Sequence, residues 1–268
     1  MPKVRVNGVG LNVADEGAGP ELIVFAHGLA WDVSLYDAQV AALRDRFRCV
    51  RFDFRGQGGS EVTPGGYDMD TLTEDAAALI ETLGVAPCHF VGLSMGGFVG
   101  LRLAARRPEL IRSLALLDTS ADAEAACAAL RYRAMAYVTR WFGPRPVLGA
   151  VMKIMFGPRF LADPARAAER ERLRARLLAA DRVGLCRATL GVVSRRGVAE
   201  EVGKIRAPTL VLVGEKDVAT VPDRSRWLHA HIAGSRLVVV PEAGHSPPVE
   251  EPAQVNAALA DFLAGVAQ

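Results

Sequence analysis

Apolar positions along the 268-residue chain fall into two textures. Residues 3–6 and 11–15 alternate apolar with polar, as half-buried strands do, and Asn7-Gly8 between them suits a hairpin turn that needs positive φ. From residue 21 the alternation gives way to short continuous apolar runs at 22–25, 49–52, 89–91, 114–117, 210–213 and 237–240. Such runs mark strands buried on both faces. Helical periodicity fills most of the gaps and predicts helices over 35–44, 72–83, 95–106, 223–231 and 252–263. Thr71 and Glu74 form a capping-box pair at the start of the second, and Pro108 stops the third.

Strands alternating with helices of this length predict an α/β fold: a mostly parallel eight-stranded sheet covered by helices on both faces. Ligands of such sheets bind beyond the C-terminal ends of the strands. The alternation fails between Asp118 and Lys204, where Arg-rich and Ala-rich helical segments are cut by Pro144, Pro146, Pro158 and Pro164. A helical cap is therefore expected over 120–201, inserted into a core made of 1–119 and 202–268. Asp163-Pro164 supplies a helix cap followed by proline at the first helical position.

Composition narrows the function classes. Half of the residues are hydrophobic and 23% are charged, which suits a buried core and excludes disorder. The net charge of +2 gives no electrostatic case for a nucleic-acid partner. The balance is uneven, since residues 121–201 hold 15 Arg or Lys against 8 Asp or Glu. Cys49, Cys88, Cys127 and Cys186 lack the spacing of a zinc or redox site and read as buried thiols. With no apolar signal region and no apolar stretch near 18 residues, a soluble cytoplasmic protein with no membrane partner is expected. The run 147–156, with Lys153 inside it, reads as a cap helix packed on the core. Nothing in the sequence sets the oligomeric state.

The strongest chemical signal is Gly92-Leu93-Ser94-Met95-Gly96-Gly97, placed directly after a buried strand and directly before a helix. A serine on that sharp turn has strained backbone angles, so its neighbours two before and two after must be small. A serine hydroxyl is a weak nucleophile that needs a base, itself oriented by a third group. Among the five histidines, His245 lies just past the last strand, where a loop can hang its imidazole over the sheet. His27, His89, His229 and His231 have structural readings. The orienting acid should also leave a strand end. Asp217 does so and is preferred; Asp118, which ends the preceding strand, is its competitor.

On these residues the chain resembles the α/β-hydrolase fold superfamily over essentially its whole length, with Ser94, Asp217 and His245 in the family's order. Phe25-Ala26-His27-Gly28-Leu29 resembles the family's oxyanion turn, and the stretch from Asp53 to Ser60 resembles its loop after the fourth strand. By that resemblance the backbone N–H groups of Leu29 and Met95 form the oxyanion hole, His27 is structural, and Asp53 and Arg55 brace loops. Within the superfamily the chain is most similar to bacterial 3-oxoadipate enol-lactonases and small esterases, through Ala14-Asp15-Glu16-Gly17, residues 35–40, the serine motif and Leu117-Asp118-Thr119. The cap departs from the lactonases, which carry Trp-Phe before a proline where this chain has Met155-Phe156-Gly157-Pro158. The resemblance implies a serine hydrolase that cleaves a small-molecule carboxylic ester or lactone through an acyl-enzyme, with no metal and no cofactor. Trp141, Met155 and Phe156 are the candidate substrate wall. A cofactor-free perhydrolase and a ligand receptor of the same fold are the alternative readings.

Overall fold

The apolar runs fold as the interior of one mixed sheet. The computed structural model describes residues 3–266. Its strands are β1 (Lys3–Val6), β2 (Val9–Glu16), β3 (Leu22–Ala26), β4 (Arg48–Phe52), β5 (Cys88–Leu93), β6 (Ile111–Leu117), β7 (Thr209–Gly214) and β8 (Arg236–Val240). They lie in the order β1-β2-β4-β3-β5-β6-β7-β8. The first two form the expected antiparallel hairpin, with Val4 opposite Leu11, and β2 runs antiparallel to β4. All later pairs are parallel.

Outside the region between β6 and β7, the α-helices of the described residues are α1 (Asp37–Leu43), α2 (Met69–Leu83), α3 (Met95–Arg106), α10 (Pro222–His231), α11 (Pro247–Glu250) and α12 (Pro252–Val266). Strand side chains alternate between two apolar layers. In β3, Leu22, Val24 and Ala26 join the cluster that holds Leu72, Leu79, Phe98, Leu101 and Leu228, so α2, α3 and α10 cover that face. Ile23 and Phe25 join the cluster that holds Val40, Leu43, Val255 and Leu259, so α1 and α12 cover the other. A strand buried on both faces has no polar side to show, which explains why these runs are continuous rather than alternating.

Two predicted boundaries change. α2 begins three residues earlier than predicted, because Asp68 rather than Thr71 is its N-cap: the Asp68 carboxylate accepts from the Thr71 N–H at 2.9 Å and from its hydroxyl at 2.8 Å. The helix predicted over 35–44 is a 3₁₀ turn, Val33–Tyr36, followed by α1. Of the four cysteines, three are buried as expected but Cys127 is exposed.

Between β6 and β7 the chain is helical, as α4 (Ala126–Phe142), α5 (Leu148–Met155), α6 (Pro158–Ala162), α7 (Ala167–Ala179), α8 (Arg182–Val193) and α9 (Ala199–Val202). This insertion is seated by backbone contact. A Cβ on Gly184 would stand 1.9 Å from the Gly56 carbonyl oxygen, and one on Gly191 would stand 1.9 Å from the Tyr67 carbonyl oxygen. The two glycines are seven residues apart, hence on one face of α8, and that face lies flat on the loop that follows β4. Backbone cannot move aside as a flexible side chain can. Gly191→Ala is therefore expected to cost about 1–3 kcal/mol by overpacking, measured as a lowered urea midpoint with an unchanged slope.

Candidate active site

Four consecutive parallel strands each deliver a polar residue just past their C-terminal ends: Ser94 after β5, Asp118 after β6, Asp217 after β7 and His245 after β8. Ser94 has φ 50° and ψ −108°, outside the ordinary regions for a side-chain-bearing residue. Its backbone is held by bonds from its own N–H to the Leu117 carbonyl and from the Thr119 hydroxyl to its carbonyl, both 2.9 Å. The smallness required on either side is real. A Cβ on Gly92 would meet the Gly96 carbonyl oxygen at 2.4 Å, and one on Gly96 would meet the Ala26 carbonyl oxygen at 2.1 Å.

His245 Nδ1 lies 2.8 Å from Asp217 Oδ2. The carboxylate is fixed in turn by the Thr220 hydroxyl at 2.7 Å and by the N–H groups of Ala219 and Thr220 at 2.7 and 3.2 Å. Burial pushes the Asp217 carboxyl up, but the His245 imidazole and the bonds from Thr220 and Ala219 outweigh it and hold the group below its usual value. For His245, burial opposes the charged form, yet the Asp217 carboxylate beside it raises the imidazole above its usual value. The imidazolium is thus the form this carboxylate favours.

Asp118 is in a different state. Its Oδ1 accepts from the Gly214 N–H at 2.8 Å while Oδ2 is buried without a hydrogen-bond partner. Burial, and then the nearby negative charge of Asp217, push its carboxyl well up, so Asp118 is the neutral acid and Asp217 the anion. Atoms of Asp118, Asp217 and His245 come within 4.8 Å of one another, a grouping that could in principle ligate a metal ion. The ligand atoms of Asp217 and His245 are already committed to each other.

The residues around these side chains are pinned by buried polar groups. His27 accepts the Phe54 N–H at its Nε2, 3.0 Å away, and its Nδ1 donates to the Gly28 carbonyl at 2.7 Å, which ties the turn after β3 to the loop after β4. Asp53 accepts from the N–H groups of Val33 and Gly59, and Arg55 makes a two-pronged buried pair with Asp75 at 2.7 and 2.8 Å. All three thus brace loops, as read from the sequence. Gln57 accepts the Ala30 N–H at 2.8 Å, fixing the turn that carries Leu29.

Sequence reasoning missed two residues. One is Thr220, which holds Asp217. The other is Glu250, whose buried carboxylate accepts from the N–H groups of Gly244 and Ser246 at 3.0 Å, on either side of His245, and from Gly157 at 2.6 Å. Burial raises this carboxyl despite the three N–H donors. A glutamate five residues after the histidine was visible in the sequence, but its contact with residue 157 spans 93 positions and had no local signal.

Ser94 and His245 line one cavity of about 140 Å³ together with Gly28, Leu29, Thr220 and a wall of apolar residues from the insertion. Leu29 is in that lining, and Met95 opens α3, where the first N–H groups of a helix have no partner inside it. Of the three candidate wall residues, Met155 lines the cavity. Phe156 does not: it is buried between Trp31, 6.0 Å away edge-on, and Phe160, stacked at 4.7 Å. Trp141 lies outside the lining and is exposed, because its position on α4 faces away from the residues of that helix that reach the cavity, Tyr132, Met135, Ala136 and Thr139.

The sequence profile of the alpha/beta hydrolase family matches residues 23–258. The chain belongs to the α/β hydrolase family. Among its relatives is a 3-oxoadipate enol-lactonase of Acinetobacter baylyi, 30% identical over 252 residues that cover 94% of this chain and 92% of the relative. The enol-lactonase structure from Burkholderia xenovorans LB400 superimposes with a TM-score of 0.91 at 31% identity, covering 98% of this chain and all of that one. A thermophilic esterase from Thermogutta terrifontis gives 0.90 at 30% identity, covering 99% and 97%. The eight-stranded sheet and its helices are therefore those of an α/β hydrolase. No helix among the described residues is long and apolar enough to cross a membrane.

In this hydrolase, Glu250→Ala would leave three buried N–H groups without an acceptor. Each such orphan costs about 1–3 kcal/mol, so a loss of roughly 3 kcal/mol or more in unfolding free energy is expected from urea denaturation.

Proposed function

We propose that the chain is a serine hydrolase of carboxylic esters or lactones, with Ser94 as nucleophile, His245 as general base and Asp217 as the orienting acid. The observation that carries this reading is the 2.8 Å bond between His245 Nδ1 and Asp217 Oδ2, on a histidine that shares its cavity with Ser94. Asp217 keeps the proton on Nδ1 and leaves Nε2 to take the Ser94 proton as the hydroxyl oxygen attacks the carbonyl. The N–H groups of Leu29 and Met95 stabilise the tetrahedral oxyanion, at a helix N-terminus where negative charge is favoured. Collapse expels the alcohol, which is protonated by His245. Water, deprotonated by the same base, then releases the acid from Ser94. The helical insertion serves as the cap over this site.

Ser94→Ala is expected to abolish ester turnover in a folded protein. Asp217→Asn should lower kcat by ~10⁴, the loss seen when a triad carboxylate is neutralised and the tautomer is wrong. Asp118→Asn should cost far less, since Asp118 is already uncharged. Steady-state kinetics of the three purified variants on one ester check this, and a reversal between the two aspartates would move the acid to the end of β6. Multiple turnovers by the wild type separate an enzyme from a receptor.

The cavity wall also bears on substrate class. A single carboxylate, Glu124, is its one charged lining side chain besides the histidine, and Arg195 already holds it at 2.9 Å. No lysine or arginine lines the cavity. Enclosing an unpaired carboxylate here would cost several kcal/mol. An uncharged acyl group is therefore the preferred substrate, whereas the lactone of a dicarboxylic acid such as 3-oxoadipate keeps one free carboxylate. kcat/KM should fall by about 10²-fold or more from a neutral ester to one of equal length ending in a carboxylate. Equal rates would remove the neutral-substrate reading and leave the hydrolase reading intact.

A further inference from the structure

The outer face of α4 has no role in the site described above. Its inner residues reach the cavity, but Leu130, Tyr137 and Trp141, spaced seven and four apart, form one outward stripe that Phe142 extends at the helix end. They are exposed by 71, 51, 68 and 75%, respectively. Every other large hydrophobic side chain exposed among the described residues is a lone valine: Val62, Val85, Val218, Val221 and Val239. Single exposed apolar residues are normal, but four on one helix face are not.

Charge singles out the same segment. From Ala125 to Ala162 the chain has six cations, Arg131, Arg133, Arg140, Arg145, Lys153 and Arg159, and no acidic residue. Most arginines elsewhere in the described protein are ion-paired, yet Arg131, Arg133, Arg140, Arg145 and Lys153 are in no ion pair among the described residues. At 100° per residue, Arg133 and Arg140 flank the stripe on one side and Arg131 on the other. Arg140 lies over the Trp141 ring at 4.8 Å, and Arg131 over Tyr132 at 4.9 Å.

We propose that the outer face of α4 docks on an anionic lipid surface, with Leu130, Tyr137, Trp141 and Phe142 entering the interface and the arginines meeting the headgroups. A helix with aromatic and leucine residues on one face and arginines along its borders has the make-up of an interfacial helix. At 17 residues, with its other face on protein, it lies on the surface and does not span. A second copy of the chain is a poorer occupant. A two-fold contact through this face would bring its unpaired cations against the same cations of the partner, without an acidic residue between them. An anionic surface supplies the missing charge.

The test is flotation of the purified full-length chain with vesicles of phosphatidylcholine alone and of phosphatidylcholine with phosphatidylglycerol. The chain should float with the anionic vesicles, with a blue shift of tryptophan emission as Trp141 leaves water, and should be released by high salt. Leu130→Ser with Phe142→Ser should lower the partition coefficient about tenfold while the far-UV spectrum and melting temperature stay unchanged. Arg133→Gln with Arg140→Gln should lower it about fivefold for each arginine removed. Three results would overturn the proposal: no flotation, equal flotation with both vesicle types, or flotation unaffected by the serine variant. A dimer in sedimentation equilibrium that the serine variant dissociates would give the face to a second copy and overturn it as well. None of these readings depends on turnover.

Discussion

A turn that forces a serine to φ 50° survives only if the backbones around it are allowed to touch, and much of the architecture follows from that demand. α3 must start immediately after β5, β3 must pass close enough for the Ala26 carbonyl to crowd Gly96, and Thr119 must reach back to the Ser94 carbonyl. Each condition is a sheet condition, because β3, β5 and β6 are neighbours. The strained turn is therefore a product of strand order, and α3, entering at that angle, carries the apolar face that packs with α2 over one side of the sheet.

The same sheet sets two carboxylates side by side and gives them different work. Asp118 and Asp217 leave adjacent strands, so both point into one buried space where two negative charges repel. Asp217 has the imidazole, a hydroxyl and two N–H groups to accept from, and it keeps its charge. Asp118 has a single N–H, from the very strand that leads to Asp217, and it is neutral. Environment divides the roles where sequence position alone could not, since each aspartate ends a parallel strand equally well.

This marks where the sequence stops being legible. Continuous apolar runs, the glycine-flanked serine and the histidine past the last strand are local signals, written within a few residues of one another, and the corresponding strands and turns are present. Met155 and Phe156 are adjacent and equally apolar, yet one lines the cavity and the other stacks on Phe160; no periodicity distinguishes them, because that depends on how α5 ends. Trp141 looked like a pocket residue by type, and only the direction of α4 puts it on the outside. Glu250 joins the histidine loop to residue 157, two segments whose meeting is a property of the finished fold.

That last contact also constrains how the insertion can move. The junction of α5 and α6 is fixed to the loop of His245 by Glu250 and by the close approach of Gly157 to Gly244. α8 is fixed to the core loop by Gly184 and Gly191, and α4 packs against α8. An outward swing of the whole insertion would pull the Gly157 N–H off Glu250 and slacken the loop that holds the imidazole. Access to the cavity that preserves the histidine must instead come from side-chain and helix adjustments on the α4 side, where the insertion touches the core through α8 alone among its helices held by backbone contact. The helix that forms a wall of the cavity is thus also the helix whose opposite face is apolar, cationic and uncovered.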